Sequence, residues 1–204
     1  LVVPETVFFD DIEDGVRTAF EAALGRLQAA GAIIRRQSFP IFSELFEVMA
    51  KYGPLVTAEA YAFHRQRIEG PDAGQMDHRV VMRTLLGKKT SMSDYIDILD
   101  ARERMIAFMG NMIHPDEILV SPTLPHVAAP IAPLLADDDL FVNTNARTLR
   151  NTLIGNFFDW CGVSLPCGTG DAGMPVGLLL SGLPNTDEQL LSAALAAESW
   201  VRES

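Results

Sequence analysis

The sequence has few of the residues that redox, disulfide and metal chemistry require. Its two cysteines, Cys161 and Cys167, are separated by five residues, which matches neither a C-x-x-C redox pair nor half of a zinc site. We therefore expect two buried thiols. The four histidines include no H-x-x-x-H pair that would place two ligands on one helix face, so no metal site is predicted; they are His64, His78, His114 and His126.

Positive charge and long apolar runs are also scarce. The chain has 16 basic against 27 acidic side chains, a net charge of −11, and no cluster of Lys and Arg, which argues against binding to a nucleic-acid backbone. No apolar run approaches the roughly 18 residues that span a bilayer, and no basic and then apolar leader opens the chain. We expect a soluble, cytoplasmic protein that binds neither nucleic acid nor membrane.

What is present is enough apolar material for a folded core. The 204 residues are 48% apolar, which suits one sizeable core or two small ones. The chain opens on the strand-like Leu1-Val2-Val3-Pro4 without an initiating Met. From this start we expect a piece cut from a longer protein.

A glycine-rich stretch raises the question of a dinucleotide site. Gly168, Gly170 and Gly173 have the G-x-G-x-x-G spacing, and Glu188 lies 20 residues after Gly168, the spacing of a ribose-binding acid. Such a loop must lead into a helix, whose free N–H groups hold the pyrophosphate. Here residues 174–180 contain Pro175 and a run of apolar residues that suits a buried strand. We therefore predict strand, tight turn and strand, with no nucleotide and no other cofactor.

The first forty residues are predicted to form a β-α-β unit. After the opening strand, a helix begins near Asp14 and ends at Gly31, and residues 32–39 favour a second strand. The helix is indicated by apolar residues at three- and four-residue steps, namely Val16, Ala19, Phe20, Ala23, Leu24 and Leu27.

The middle of the chain reads as helical. Ser43 is predicted to cap a helical region that runs to about Ile68 and is interrupted at Gly53-Pro54. After the polar stretch 70–74, a short helix is expected over residues 79–86. A long helix is then predicted to start at Ser93 or Asp94, with one apolar face formed by Tyr95, Ile98, Leu99, Met105, Ile106, Met109 and Ile113.

The last third is predicted to return to strands. Residues 117–120 suit a strand that stops at Ser121, where Pro122 and Pro125 favour an extended loop. Residues 137–139, three aspartates, are expected to form a solvated turn. Thr186 and Gln189 resemble a capping box for a final helix whose inward face would comprise Leu190, Leu191, Ala194 and Leu195.

Several segments in one order resemble the C-terminal part of the amidase signature family. The resemblance covers essentially the whole chain and is strongest over residues 116–182. The segments that carry it are residues 116–125 (DEILVSPTLP), Leu149-Arg150-Asn151-Thr152 with Asn156, Ser164-Leu165-Pro166-Cys167-Gly168, and Met174-Pro175-Val176-Gly177-Leu178.

The resemblance implies an α/β fold, the C-terminal portion of the amidase signature fold with a mixed β-sheet flanked by helices. Members hydrolyse or transfer amide groups with a Ser, cis-Ser, Lys triad that lies in the N-terminal half. This chain has no Ser-Ser dipeptide, and its lysines, Lys51, Lys88 and Lys89, match none of the family's motifs. We therefore expect residues 1–204 to be the C-terminal half of an amidase, without a separate second domain and inactive alone. Its partner would be the N-terminal catalytic half, and an exposed strand edge could also support a homo-oligomer.

The same resemblance suggests substrate-binding residues. Thr152 and Asn156 would line or support the acyl pocket; alternatively, Thr152 caps a helix and Asn156 pins a turn. Arg150 and Arg83 would each hold a substrate carboxylate, or else pair with surface acids. No catalytic residue is predicted in this chain.

The substrate is predicted to be a small amide, with an anionic amide as one candidate. In the tRNA-dependent amidotransferase branch an acid is expected just before the position of Thr152, and here Leu149 and Arg150 occupy that region. This favours a stand-alone amidase over the A subunit of an aspartyl/glutamyl-tRNA amidotransferase. A third alternative is a non-catalytic small-molecule binding module.

Overall fold

A computed structural model describes residues 1–202 and divides the chain into two compact units. The first unit comprises Leu1–Phe42 together with the segment that begins at Phe108, and the second is Ser43–Ala107. That residues 1–204 form one amidase region without a separate second domain stays a prediction. Residues 203 and 204 lie outside the described part of the chain.

The first unit is built on a five-stranded mixed sheet in the order β2-β1-β3-β5-β4. Its strands are β1 (Val2–Pro4), β2 (Arg35–Gln37), β3 (Leu119–Pro122), β4 (Cys161–Thr169) and β5 (Pro175–Gly182). β1 is parallel to β2 and β3, whereas β5 is antiparallel to β3 and β4. The carboxyl ends of β1 and β3 therefore lie at the same end of the sheet.

The predicted β-α-β opening is confirmed. Helix α1 (Asp14–Ala29) connects the parallel strands β1 and β2, and all six residues of its apolar stripe are buried. They pack against one face of the sheet, together with helix α8 (Asp187–Val201). Burial of this stripe accounts for the helix, because a helix of 16 residues has little stability without packing.

The glycine-rich stretch forms the predicted connection between two strands. Only the short 3-10 turn Asp171–Gly173 separates β4 from β5, so no helix follows the glycines. At Gly170 a Cβ atom would lie 2.8 Å from Val127 Cγ1, which makes glycine a requirement for close packing at this tip. The nucleotide-loop geometry is thus absent from this segment.

On the opposite face of the sheet Val2 of β1 and Leu119 of β3 are buried, and the first unit also contains an aromatic cluster. Phe42 lies at the centre, with ring centroids 5.6 Å from Phe8 and Phe158 and 5.9 Å from Trp160. Phe42 and Phe158 are fully buried. Over β4 and β5 the same face stays open, and Ser164 is exposed there.

The second unit contains the predicted helices. α2 (Ile41–Tyr52) starts in the first unit, and Gly53-Pro54 separates it from α3 (Leu55–Ile68), as predicted. A 3-10 turn (Pro71–Gln75), α4 (His78–Leu85) and a second 3-10 turn (Leu86–Lys89) follow. α5 (Met92–Met112) runs back into the first unit.

Two predicted helix starts in this region were wrong. Ser43 is not an N-cap, because α2 begins two residues earlier, at Ile41. α5 begins before Ser93, and Ser91 forms its capping box: Ser91 Oγ accepts from the Asp94 backbone N–H, and the Asp94 carboxylate accepts from Ser91 N–H. The predicted core methionines, Met105 and Met109, are fully buried, whereas Leu99 is 37% exposed.

Two predictions near the end of the chain also need correction. β3 includes Ser121 and Pro122, since Pro122 is the last paired residue and its missing N–H costs little there. The three aspartates begin α7 (Asp138–Phe157), and Asp137 caps it by accepting from Leu140 N–H. A short helix, α6 (Ile131–Ala136), precedes it.

The last helix starts where predicted but without a capping box. Thr186 Oγ1 donates to Leu183 O, and Gln189 Nε2 donates to Pro115 O. Leu190 and Ala194 are buried as predicted, but Leu191 and Leu195 are 55% and 75% exposed. The reason is that only a narrow stripe of α8 packs against β4 and β5.

The predicted buried thiols are confirmed in part. Cys167 is 1% exposed, whereas Cys161 is only partly buried, and neither forms a disulfide. No helix within residues 1–202 is long and apolar enough to cross a membrane.

Candidate functional site

The candidate site lies in the first unit, at the end of the sheet where β1 and β3 finish. Two loops, residues 5–13 and residues 123–130, leave the sheet there, and α7 is hydrogen-bonded to both. Loops at the carboxyl ends of parallel strands are where α/β proteins commonly bind ligands.

Asn151 joins α7 to the end of β3 and to the loop after β1. Its side chain is 1% exposed, and Nδ2 donates to Pro122 O at 2.9 Å and to Phe8 O at 3.3 Å. A buried amide that donates to two backbone carbonyls is costly to replace. Sequence reasoning passed over Asn151; its only signal was its position inside the family-like segment.

The guanidinium of Arg150 donates hydrogen bonds to other residues of the chain. Nη1 donates to Asp10 O, Nη2 donates to Phe8 O at 3.4 Å, and Nε donates to Asn151 Oδ1 at 3.2 Å. Burial is the main cause of the lowered pKa of Arg150, and the neighbouring Asp10 carboxylate opposes it. Arginine stays protonated in either case. These contacts stabilise the loop after β1.

Arg147 and Glu13 connect the two loops. Arg147 Nη2 donates to Asp11 O at 2.6 Å, and its Nη1 lies 3.7 Å from Glu13 Oε1. Glu13 Oε2 in turn accepts from Val127 N–H at 2.9 Å. The loop after β1, the loop after β3 and α7 therefore form one hydrogen-bonded junction, which we call the α7 junction (residues 5–13, 123–130 and 147–151).

The two best predicted pocket residues lie on α7 beyond this junction. Thr152 is partly buried and its Oγ1 donates to Leu149 O at 3.2 Å, while Asn156 is exposed in the last turn of the helix. Residues four apart share one side of a helix. Thr152 lies inside α7 and so does not cap it.

Arg83 lies elsewhere. It is a partly buried residue of α4, in the second unit. The structure thus brings Arg150, Thr152 and Asn156 together on one helix and places Arg83 on another unit. Substrate binding by all four stays a prediction.

A pair of hydroxyl groups on the open sheet face was not anticipated. Thr123 Oγ1 and Ser164 Oγ are 2.6 Å apart, and a Cβ atom at Gly177 would lie 2.7 Å from each of them. The pair therefore exists because residue 177 has no side chain. The period-two alternation of β4 indicated that Ser164 faces away from the core, but nothing local indicated its partner.

The strongest charge interaction of the first unit lies at the opposite end of the sheet. Arg35 of β2 donates to both carboxylate oxygens of Glu117, at 2.5 and 2.7 Å, and His114 N–H donates to the same carboxylate at 2.9 Å. The bond from Arg35 is the main reason that the pKa of Glu117 falls to about 2. This is a structural ion pair, and it is remote from the α7 junction.

Two cavities of the structure lie away from the α7 junction. A groove of about 550 Å³ lies between α2 and α5 in the second unit, lined by acids and by Lys51 and Arg104. A cleft of about 260 Å³ lies beside Glu117. Among residues 1–202, no three His, Cys, Asp or Glu side chains are grouped closely enough to hold a metal ion.

The mixed sheet and its flanking helices define an α/β protein with an amidase-like fold. The crystal structure of an amidase superposes with a TM-score of 0.81 at 23% identity, covering 99% of this chain and 45% of that one. At that identity the likeness establishes the fold only. The Amidase family model matches residues 2–191, and the chain belongs to the amidase family, which confirms the resemblance identified from its motifs.

Curated relatives agree with this family and are longer. A 2-amino-5-chloromuconic acid deaminase of Comamonas testosteroni is 32% identical over 202 residues, which cover 98% of this chain and 42% of that protein. An amidase of Pseudomonas putida is 30% identical over 200 residues, covering 96% and 41%. The A subunit of a glutamyl-tRNA(Gln) amidotransferase, from Geobacter sp. (strain M21), is 25% identical over 224 residues, covering 96% and 44%. The chain therefore spans about two fifths of the length of these relatives.

Proposed function

We propose that this chain is the C-terminal region of an amidase that hydrolyses a carbon–nitrogen bond in a small substrate bearing a carboxylate. The observation that carries the proposal is the match of the Amidase family over residues 2–191 in a chain that spans only about two fifths of its relatives. In this proposal the chain supplies part of the sheet and one wall of the substrate pocket.

The catalytic triad is proposed to lie in the rest of the parent protein. A Ser, cis-Ser, Lys triad needs a neutral lysine next to two serines. All three lysines of this chain are in the second unit, where Lys88 pairs with Glu69 and Lys51 lies over the ring of Tyr52. No lysine is therefore available in the unit that contains α7, and the chain alone should form no acyl-enzyme.

We propose that Thr152 and Asn156 of the first unit contact the substrate. Arg83, on the second unit, is proposed separately as a residue that binds a substrate carboxylate. Thr152 and Asn156 share a side of α7, and Asn156 is solvent-accessible. Arg150 is proposed to support the wall, since its donors are directed at Asp10 O, Phe8 O and Asn151. A carboxylate on the substrate is supported by the acid named for the Comamonas testosteroni relative.

The test uses the complete protein that contains this chain. Ammonia release is measured for a matched pair of small amides that differ in one carboxylate. Arg83→Leu is expected to raise KM for the acid about 10- to 100-fold and to leave the neutral amide unchanged, because a bidentate charge-assisted contact is lost. Arg67→Leu, which removes an exposed arginine of α3, is the matched control.

Two outcomes would contradict the proposal. If this chain alone releases ammonia, then the triad need not be supplied from elsewhere. If the complete protein releases ammonia from glutamine only with partner subunits, the amidotransferase alternative applies, which the Geobacter relative supports and the absence of an acid at Leu149 opposes.

A further inference from the structure

His126 is a buried side chain of the α7 junction that the proposed function does not use. It lies in the loop after β3 and is 6% exposed. Nδ1 lies 2.7 Å from Val127 O, and Nε2 lies 2.9 Å from Thr148 Oγ1 of α7. The ring therefore bridges its own loop and the helix that carries Thr152 and Asn156.

The chemistry of the Val127 carbonyl assigns the proton on Nδ1. A carbonyl oxygen only accepts, so Nδ1 must carry the hydrogen that points at Val127 O. In a neutral ring Nε2 is then an acceptor, and the Thr148 hydroxyl donates to it. Thr148 Oγ1 also lies 2.8 Å from Thr144 O, so its single proton has two acceptors, one on α7 and one on the loop.

We propose that His126 is a positioning residue for α7, held as the neutral Nδ1–H tautomer and acting through Thr148. Thr148 precedes Thr152 by one helical turn, about 6 Å along the axis, so a fixed Thr148 fixes the rotation of the helix face that carries Thr152. Asn151 anchors α7 at Pro122, and His126 adds an anchor one turn earlier. The effect on substrate rests on the proposed function, whereas the tautomer and the anchor do not.

The first test measures the tautomer in the chain as it exists. Long-range proton–nitrogen NMR spectra of the histidine rings at about pH 8, where histidines are ordinarily neutral, distinguish protonated from unprotonated ring nitrogens. We expect a protonated Nδ1 and an unprotonated Nε2 for His126. A protonated Nε2, alone or together with Nδ1, would overturn the assignment.

The second test measures the anchor by amide hydrogen exchange. His126→Asn keeps a donor near Nδ1 but cannot reach Thr148, and Thr148→Val removes the hydroxyl at nearly constant volume. We expect each to speed exchange of the amides of residues 148–152 about tenfold, to leave α1 unchanged, and to give no further effect when combined, since both remove one bond.

Controls separate a specific anchor from general damage. His114→Asn changes an exposed histidine of the same unit and should alter neither helix. His126→Gln, whose amide can reach Thr148, should restore part of the protection. Equal acceleration in α1 and α7, or strictly additive effects in the double variant, would refute the anchor. If the variants fail to fold, the tautomer measurement on the unaltered chain still decides.

A kinetic measurement then tests the link to substrate. In the complete protein, His126→Asn is expected to raise KM about 3- to 10-fold and to change kcat less than about twofold, because a shifted pocket wall weakens binding uniformly. Faster exchange in α7 with an unchanged KM would retain the anchor and refute the substrate role of Thr152 and Asn156. Unchanged exchange with a raised KM would refute the anchor.

Discussion

At one end of the first unit's sheet, where β2 and β3 begin, Arg35 and Glu117 form a two-pronged ion pair. At the other end, where β1 and β3 finish, the buried amide of Asn151 and the guanidinium of Arg150 donate mainly to backbone carbonyls. The first arrangement depends on the charge state of a carboxylate. The contacts of Asn151 and Arg150 depend on burial and on directed donors. Lowering the pH should therefore weaken the Arg35–Glu117 end more than these contacts.

This difference bears on the proposed substrate. A carboxylate entering near the Arg35–Glu117 pair would compete for its arginine, whereas the bonds from Asn151 to Pro122 O and Phe8 O involve no carboxylate. These two bonds could therefore persist beside the anionic substrate that we propose. Four substitutions test the contrast, and they are given in order of decreasing expected loss of stability.

Asn151→Leu should be the most damaging of the four. At nearly constant volume it removes the buried donor of Pro122 O and leaves Phe8 O with only the 3.4 Å bond from Arg150, so we expect a loss of about 2 to 3 kcal/mol in the free energy of unfolding. Denaturant unfolding of the chain measures it. Asn143→Ala, at an exposed position of α7, is the control and should cost less than about 0.5 kcal/mol. Equal costs would show that the amide is not an anchor.

Glu117→Gln should destabilise the other end in a pH-dependent way. The pKa of Glu117 is lowered from 4.5 to about 2, so its contribution is complete above about pH 4.5 and disappears as the pH falls to about 2. Because both partners are partly exposed, with 37% and 24% of their side chains accessible, we expect about 1 to 2 kcal/mol at neutral pH.

The pH series for this variant has a clear control. Asn151→Leu, which involves no titrating group, should show a deficit that stays constant from about pH 7 to about pH 3. If the deficit of Glu117→Gln also stayed constant, the ion pair would not be the source of its stability.

Gly177→Ala should have a smaller, local effect on the open sheet face. The added Cβ would lie 2.7 Å from Thr123 Oγ1 and from Ser164 Oγ, so one of the hydroxyls must move. We expect a cost of about 1 kcal/mol from overpacking. Adding Ser164→Ala should recover part of it in the same unfolding assay, and failure to recover any would place the strain elsewhere.

Thr186→Ala should have the smallest effect, below about 0.5 kcal/mol, because Thr186 makes no capping bond to α8. Ser91→Ala is the informative comparison: it breaks the capping box of α5 and should cost about 1 kcal/mol. Equal losses in thermal unfolding would mean that Thr186 does cap its helix in solution.

The sequence predicted those parts of the fold that local chemistry determines. The apolar stripe of α1, the break at Gly53-Pro54 and the turn between β4 and β5 follow from periodicity and from the dihedral limits of proline and glycine. Helix starts were less predictable, since Ser91, Ser93 and Asp94 are all acceptable caps and only the tertiary position of α5 selects one.

The candidate site was predictable only in part, for a similar reason. Thr152 and Asn156 were found through a family-like segment, and their shared helix side follows from their spacing. The partners of Asn151, His126 and Ser164 lie 22 to 143 positions away in sequence. No local pattern encodes such contacts, because they depend on how strands and loops are brought together.

The uneven placement of lysine gives the molecule a built-in chemical asymmetry. Every side-chain amine lies in the second unit, on α2 or in the turn after α4. A reagent that acylates amines will therefore modify that unit and the terminal amine while leaving the side chains of the α7 junction untouched. Labelled protein could then serve to test the proposed ligand binding at α7 by fluorescence, with the lysine-linked reporters on the second unit.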